Sequence, residues 1–228
     1  MKEDYIKELE GMAQEQYRQF VHSLIPNEKL ENIMGVRLPK IRLLAKRIAR
    51  TQGEEFLNLQ VGNTLEEKLL HAFVIAYADM SVEQRLRRIK LFIPYINSWS
   101  VCDSFVVSLK FIENNKEVVW DFLTPYFYSS EPYYVRFAVV TALNYFNEDN
   151  YIYRLFEIFP KITNEDYYVK MAIAWCLCEM CSKYPQQVLD FLKQYSLSED
   201  THNKTIRKIK ESYKIVPEYK EKAKKLKR

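Results

Sequence analysis

Glycine is scarce in this chain, with four residues in 228. Tight sheet turns and phosphate-cradling loops depend on glycine, so its scarcity argues against sheets, dinucleotide folds and P-loops. Neither G-x-G-x-x-G nor G-x-x-x-x-G-K occurs. Histidines are three and scattered: His22, His71 and His202. His71 falls inside an apolar stripe and reads as a buried, hydrogen-bonded core histidine. The four cysteines are Cys102, Cys176, Cys178 and Cys181. The last three form C-x-C-x-x-C within one helical stretch. Offsets of two point to different helix faces, so this spacing does not pre-form a tetrahedral metal site and reads as buried thiols of a reduced compartment. No metal and no cofactor, nucleotide or otherwise, is expected. No run of eighteen apolar residues occurs, and no apolar stretch follows a basic N-terminus. Neither a membrane span nor a secretory leader is expected, and the chain is placed in the cytoplasm.

What remains favours helices. Leu, Ala, Glu, Lys and Arg dominate the windows between eight prolines (Pro26, Pro39, Pro94, Pro125, Pro132, Pro160, Pro185 and Pro217), each near an apparent helix end. The stretch Tyr133-Tyr-Val-Arg-Phe-Ala-Val-Val-Thr-Ala-Leu recurs 34 residues on as Tyr167-Tyr-Val-Lys-Met-Ala-Ile-Ala-Trp-Cys-Leu. Stepping back 33 residues from Arg136 reaches Asp103, and 33 more reaches Leu70. Recurrence of that length with apolar residues at helical spacing marks stacked helix pairs, each burying its face against its neighbours. The fold class is therefore all-α: a right-handed α-α superhelix of HEAT- or armadillo-like repeats. One domain spans 1–228, with an N-terminal cap over 1–60 and repeats near 65–96, 98–128, 132–160 and 165–195. A basic helix or tail closes it over 200–228. Within the cap, one amphipathic stripe runs unbroken from about 4 to 24 through Ile6, Leu9, Met12, Ala13, Tyr17, Phe20, Val21 and Leu24, and predicts a single helix.

The net charge of +4 is unevenly spread: residues 201–228 hold eleven Lys/Arg against three Glu. A second basic cluster is Arg37, Lys40, Arg42, Lys46, Arg47 and Arg50. Clusters of this kind suit a polyanion such as nucleic acid, or else coat a solvated helix face and a frayed tail. Repeat register lines up Asp103, Arg136 and Lys170, with Trp99 and Trp175 about one helical turn to either side. Each has a structural alternative: tryptophans in a core, Asp103 against a helix dipole, or Asp103 and Arg136 as an interhelical ion pair. Together, indoles beside a carboxylate and a guanidinium suit a nucleotide.

At these residues the chain resembles the DNA alkylation repair enzymes of the AlkD type, HEAT-like-repeat DNA glycosylases. The motifs are Gly35-Val-Arg-Leu-Pro39-x-x-Arg42, Trp99-x-x-x-Asp103-Ser, Tyr134-Val-Arg136-x-Ala-Val, Tyr168-Val-Lys-x-Ala-Ile-x-Trp175 and the closing Ile206-x-Lys-Ile-Lys-x-Ser-Tyr, spanning about 35–215. The resemblance implies a basic groove holding duplex DNA by its backbone and release of cationic N3- and N7-alkylated purines without flipping the base into a pocket. It implies excision residues at Asp103, Arg136, Trp99 and Trp175. Arg37, Lys40, Arg42, Lys170, Lys204, Arg207 and Lys208 are the expected DNA contacts of a monomer acting on alkylated double-stranded DNA. A helical-repeat module that binds nucleic acid or protein without catalysis is the alternative. Active family members carry two helices ahead of the Gly-Val-x-x-Pro motif. With one helix over 4–24 and room for about one turn before Gly35, the DNA-gripping second helix is expected to be reduced or missing.

Overall fold

The computed structural model describes residues 2–228. Every regular element among them is helical: α1 (Lys2–Gly11), α2 (Glu15–Leu24), α3 (Leu38–Thr51), α4 (Gly53–Leu57), α5 (Leu65–Tyr77), α6 (Val82–Phe92), α7 (Trp99–Ser108), α8 (Lys116–Leu123), α9 (Pro132–Tyr145), α10 (Asp149–Ile158), α11 (Tyr167–Lys183), α12 (Pro185–Gln194), α13 (Glu199–Glu211) and α14 (Pro217–Lys224). Short 3-10 turns extend α6, α8 and α10. Helix starts are written locally. Seven of the eight prolines stand in the first two positions of a helical segment, where a missing N–H breaks no bond. Thr64 with Glu67 and Ser81 with Gln84 form capping boxes on α5 and α6. None of the described helices is long and apolar enough to cross a membrane.

The helices group into two compact units, 1–115 and 116–228. In the first, α3, α5 and α7 pack side by side, with α4 and α6 against α5. In the second, α9, α11 and α13 form the corresponding row, backed by α12 and α14. Elements meet their sequence neighbours throughout each unit, the packing of an all-α helical repeat. The rows are rich in small and branched apolar residues: Ala72, Val74 and Ile75 on α5, Ala138, Val139 and Val140 on α9, and Ala172 and Ala174 on α11 are all buried completely. His71 lies against Phe56 and stacks on Phe92 at 5.8 Å. All four thiols are buried, and burial pushes Cys178 up to about 11 and Cys181 to about 12.

The predicted single helix over 4–24 is in fact two. α1 ends at Gly11, the chain turns through residues 12–14, and α2 begins at Glu15. A tertiary strap causes the break. Gln14 is extended and donates its N–H to the Gly35 carbonyl at 3.0 Å. Gly35 has φ of +89°, and a Cβ there would sit 2.5 Å from the Gln14 oxygen and 2.8 Å from the Arg18 Cβ, so only glycine fits. The Arg18 guanidinium donates to the Leu30 carbonyl at 2.9 and 3.2 Å, closing the same loop. The stripe reads through this break because its second half is not core. No residue of α2 is buried, and Phe20 is 55% exposed. Two helices therefore precede Gly35, and the expected loss of the second is corrected.

The basic C-terminus is likewise ordered. Beyond α13 the chain forms α14, whose Ala223 is fully buried. Asn203 exchanges two hydrogen bonds with the Arg228 backbone, at 2.8 and 3.0 Å. His202, 1% exposed, pairs its Nε2 with the Leu226 carbonyl at 2.8 Å, while its Nδ1 is buried without a partner. Burial disfavours the charged ring and lowers its pKa from 6.5; the Leu226 bond opposes this and the Arg228 charge adds to it. With a folded pKa below the unfolded one, the unfolded chain takes up the proton first as pH falls. The His202 contribution to stability is thus fully present above about pH 6.5 and is lost below it. Chemical denaturation is expected to show a fall in stability as pH drops below about 6.5 that His202→Gln reduces. Equal pH slopes in the two proteins would contradict this.

Candidate functional site

In the first unit the site is built on the opening turn of α7. Ser98 caps the helix, its Oγ accepting from the Val101 N–H at 3.3 Å. The end of α2 and the segment that follows it secure this turn. Glu28, nearly buried, accepts from Asn32 at 2.8 Å and from Asn97 at 2.6 Å, and the Trp99 indole reaches the Leu24 carbonyl at 3.4 Å. Trp99 and Asp103 then stand one turn apart on one face of α7, both partly exposed. Val101, Cys102, Phe105 and Val106 on the other side are completely buried. The helix thus presents an indole and a carboxylate together on its open face.

Of the basic residues expected on this unit, Arg37 and Lys40 are exposed at the start of α3. Arg37 stacks 4.7 Å over the Tyr17 ring of α2 and donates to the Gln14 side chain at 3.1 Å. Arg42 turns inward. It lies 4.1 Å over the Phe73 ring and donates to Tyr77 Oη at 2.7 Å and Ser108 Oγ at 2.6 Å, joining α3 to α5 and α7. The residue that shapes the Gly35 loop escaped sequence reading altogether. Glu66, in the first turn of α5 and 1% exposed, accepts the N–H groups of Met34, Gly35 and Val36 at 2.9, 2.8 and 3.1 Å. A buried carboxylate facing three amides is a strong, charge-assisted clamp.

In the second unit Arg136 is only 6% exposed, and its Nη1 donates to the Tyr168 carbonyl at 2.9 Å. Tyr168 is itself fixed: the Asp166 carboxylate caps its N–H at 2.7 Å, and its ring stacks on Tyr133 at 5.7 Å. Trp175 is half-exposed on α11 and lines a cleft of about 390 Å³ with Asn144, Glu148, Glu179, Lys183 and Lys214 among its walls. Lys170 and Lys204 converge on one carboxylate, Asp200, at 3.1 and 2.6 Å, and Lys170 also lies 3.5 Å from Glu165. The Asp200 hydrogen bond holds the Lys170 pKa above its usual value, and the two lysines hold Asp200 below its own. Their charge is largely spent joining α11 to α13. Arg207, exposed, pairs with Glu211 at 3.1 Å, and Lys208 is half-exposed on the same helix. All the candidate residues stand on α3, α7, α9, α11 and α13 or on the residue capping α3, the helices of the two rows.

The family model of the DNA alkylation repair enzymes matches residues 5–214, nearly the whole chain. The chain belongs to that family. No curated protein matches it. Membership in the DNA alkylation repair family gives the chain a role in that repair and DNA as its partner. The match begins within α1 and so takes in the two-helix entry to the Gly35 loop as well as the rows.

Proposed function

We propose that the protein is a DNA glycosylase that releases cationic N3- and N7-alkylated purines from duplex DNA. The observation that carries this reading is the open face of α7, where the Asp103 carboxylate and the Trp99 indole stand side by side above a fully buried opposite face. An N-alkylated purine already bears a positive charge, so it leaves without a general acid. As the C1′–N bond breaks, its electron pair neutralises the purine and positive charge moves to the sugar. A carboxylate aimed at that oxocarbenium-like centre stabilises it, and a water molecule then adds to C1′ and releases a proton. Asp103 has this role. Trp99, beside it, offers a flat apolar face to the deoxyribose, and Trp175 offers another to the DNA. Arg136 is too buried to serve as an open phosphate contact and supplies a fixed positive charge from within the protein.

DNA grip falls to Arg37, Lys40, Arg207 and Lys208, whose side chains reach solvent. Arg42, Lys170 and Lys204 serve it indirectly, by holding the row helices that carry those groups. The presence of α2 supports the enzyme reading, since it restores the second helix that the resemblance implies. Incubation with duplex DNA containing N7-methylguanine, followed by cleavage at abasic sites, is expected to give strand breaks above a no-enzyme control. Tight, salt-sensitive duplex binding without breaks would instead identify a non-catalytic DNA-binding module.

A further inference from the structure

The connector between α13 and α14, residues 212–216, holds an aromatic ring in open solvent. Tyr213 is 103% exposed, while the residues around it are secured. Ile215 is 5% exposed and anchors the connector in the core. The Lys214 amide donates to Ser212 Oγ at 3.2 Å, and Lys214 Nζ lies 2.7 Å from the Glu179 carboxylate on α11. The ring is therefore presented from a fixed backbone and serves no packing purpose. A large exposed aromatic on an ordered segment suits contact with another molecule, because little ordering entropy remains to be lost on binding.

Charge and position indicate the partner. Lys214 and Glu179 form one wall of the 390 Å³ cleft that holds Trp175, so the connector is the rim of that cleft. Lys183 lines the same cleft and donates to the Asn147 carbonyl at 3.3 Å, Glu148 in its wall is paired with Lys116, and Lys210, exposed one turn before Tyr213, has no carboxylate partner among the described residues. An exposed ring with lysines beside it at the mouth of a cleft suits a sugar–phosphate strand, with cations on the phosphates and the ring against the sugar. We propose that residues 212–216 form a rim that grips duplex DNA beside the Trp175 cleft, with Tyr213 against the sugar–phosphate strand and Lys183 and Lys210 facing its phosphates. The inference rests on the glycosylase reading only in taking duplex DNA as the partner, and it assigns these residues to binding rather than to chemistry.

The test is anisotropy of labelled, undamaged duplex DNA with the full chain across a salt series. Tyr213→Ala is expected to weaken binding by about tenfold and Tyr213→Trp to restore it, with both variants melting as the wild type does. Lys210→Ala is expected to reduce the slope of log K against log salt by about one. Wild-type affinity, within about twofold, in Tyr213→Ala overturns the proposal and leaves the exposed ring to a protein partner; absence of duplex binding by the wild type overturns it too. Weakened binding in a protein that releases no methylguanine keeps the rim and removes the glycosylase reading. Unchanged binding with normal release does the reverse.

Discussion

Asp103→Asn is expected to slow the release of N7-methylguanine from duplex DNA by about 10²–10³-fold while leaving duplex affinity nearly unchanged. The substitution keeps the volume and planar shape of the side chain and removes only its charge. Asp103 lies on the partly exposed face of α7, so an amide there neither opens a cavity nor disturbs Val101, Cys102, Phe105 and Val106 beneath it. What is lost at the sugar is attraction to positive charge that exists there only near the transition state. Such an interaction acts on the chemical step and not on ground-state binding. The rate to compare is therefore the single-turnover rate at saturating enzyme, with affinity taken separately by anisotropy. A variant that releases methylguanine at the wild-type rate would remove Asp103 from the reaction. One that loses rate and affinity together would mark it as a binding residue.

The second large effect is expected from Glu66→Ala, a change remote from the proposed chemistry. The Glu66 carboxylate, 1% exposed, is the acceptor for three consecutive amides at 2.9, 2.8 and 3.1 Å. Removing it leaves the Met34, Gly35 and Val36 donors facing a small void. At about 1–3 kcal/mol for each buried donor left unpaired, with partial relief by entering water, the loss is about 3–5 kcal/mol. At roughly 2–4 °C per kcal/mol for a protein of this size, melting should fall by about 6–20 °C. Glu66→Gln keeps one acceptor oxygen and should lose less than half as much. A melting temperature within about 2 °C of wild type for Glu66→Ala would show that the loop is held by its other contacts alone. Because the Gly35 carbonyl receives the Gln14 amide at 3.0 Å, loosening this loop also loosens the start of α2. Duplex affinity should therefore fall in the same variant even where it remains folded.

These two residues mark how far the sequence could be read. Repeat register singles out Asp103 as a candidate: residues 33 and 34 apart in stacked helix pairs are expected to take equivalent places, so a carboxylate in the position of Arg136 and Lys170 stands out. Glu66 left no such trace. Its partners are backbone amides 30–32 residues away, and backbone groups carry no sequence signature. Arg42 shows a related limit. Its neighbours Arg37 and Lys40 made it look like part of a basic surface, yet its guanidinium is drawn inward by Tyr77 and Ser108. Lys170 and Lys204 similarly meet on Asp200, a carboxylate that a simple count of the basic C-terminus passes over.

The sequence by itself determined the helical class and most helix starts, because prolines, capping residues and apolar spacing act within a few positions of one another. Tertiary structure alone decided that the stripe over 4–24 breaks into α1 and α2. Helical periodicity records only that apolar residues share a face. It cannot record that the Gln14 N–H leaves the helix for the Gly35 carbonyl, or that a glycine at φ +89° lets the two backbones meet there. Tertiary structure likewise decided which cations remain open to solvent, since the destination of a long, flexible side chain depends on the acceptors that distant segments bring to it.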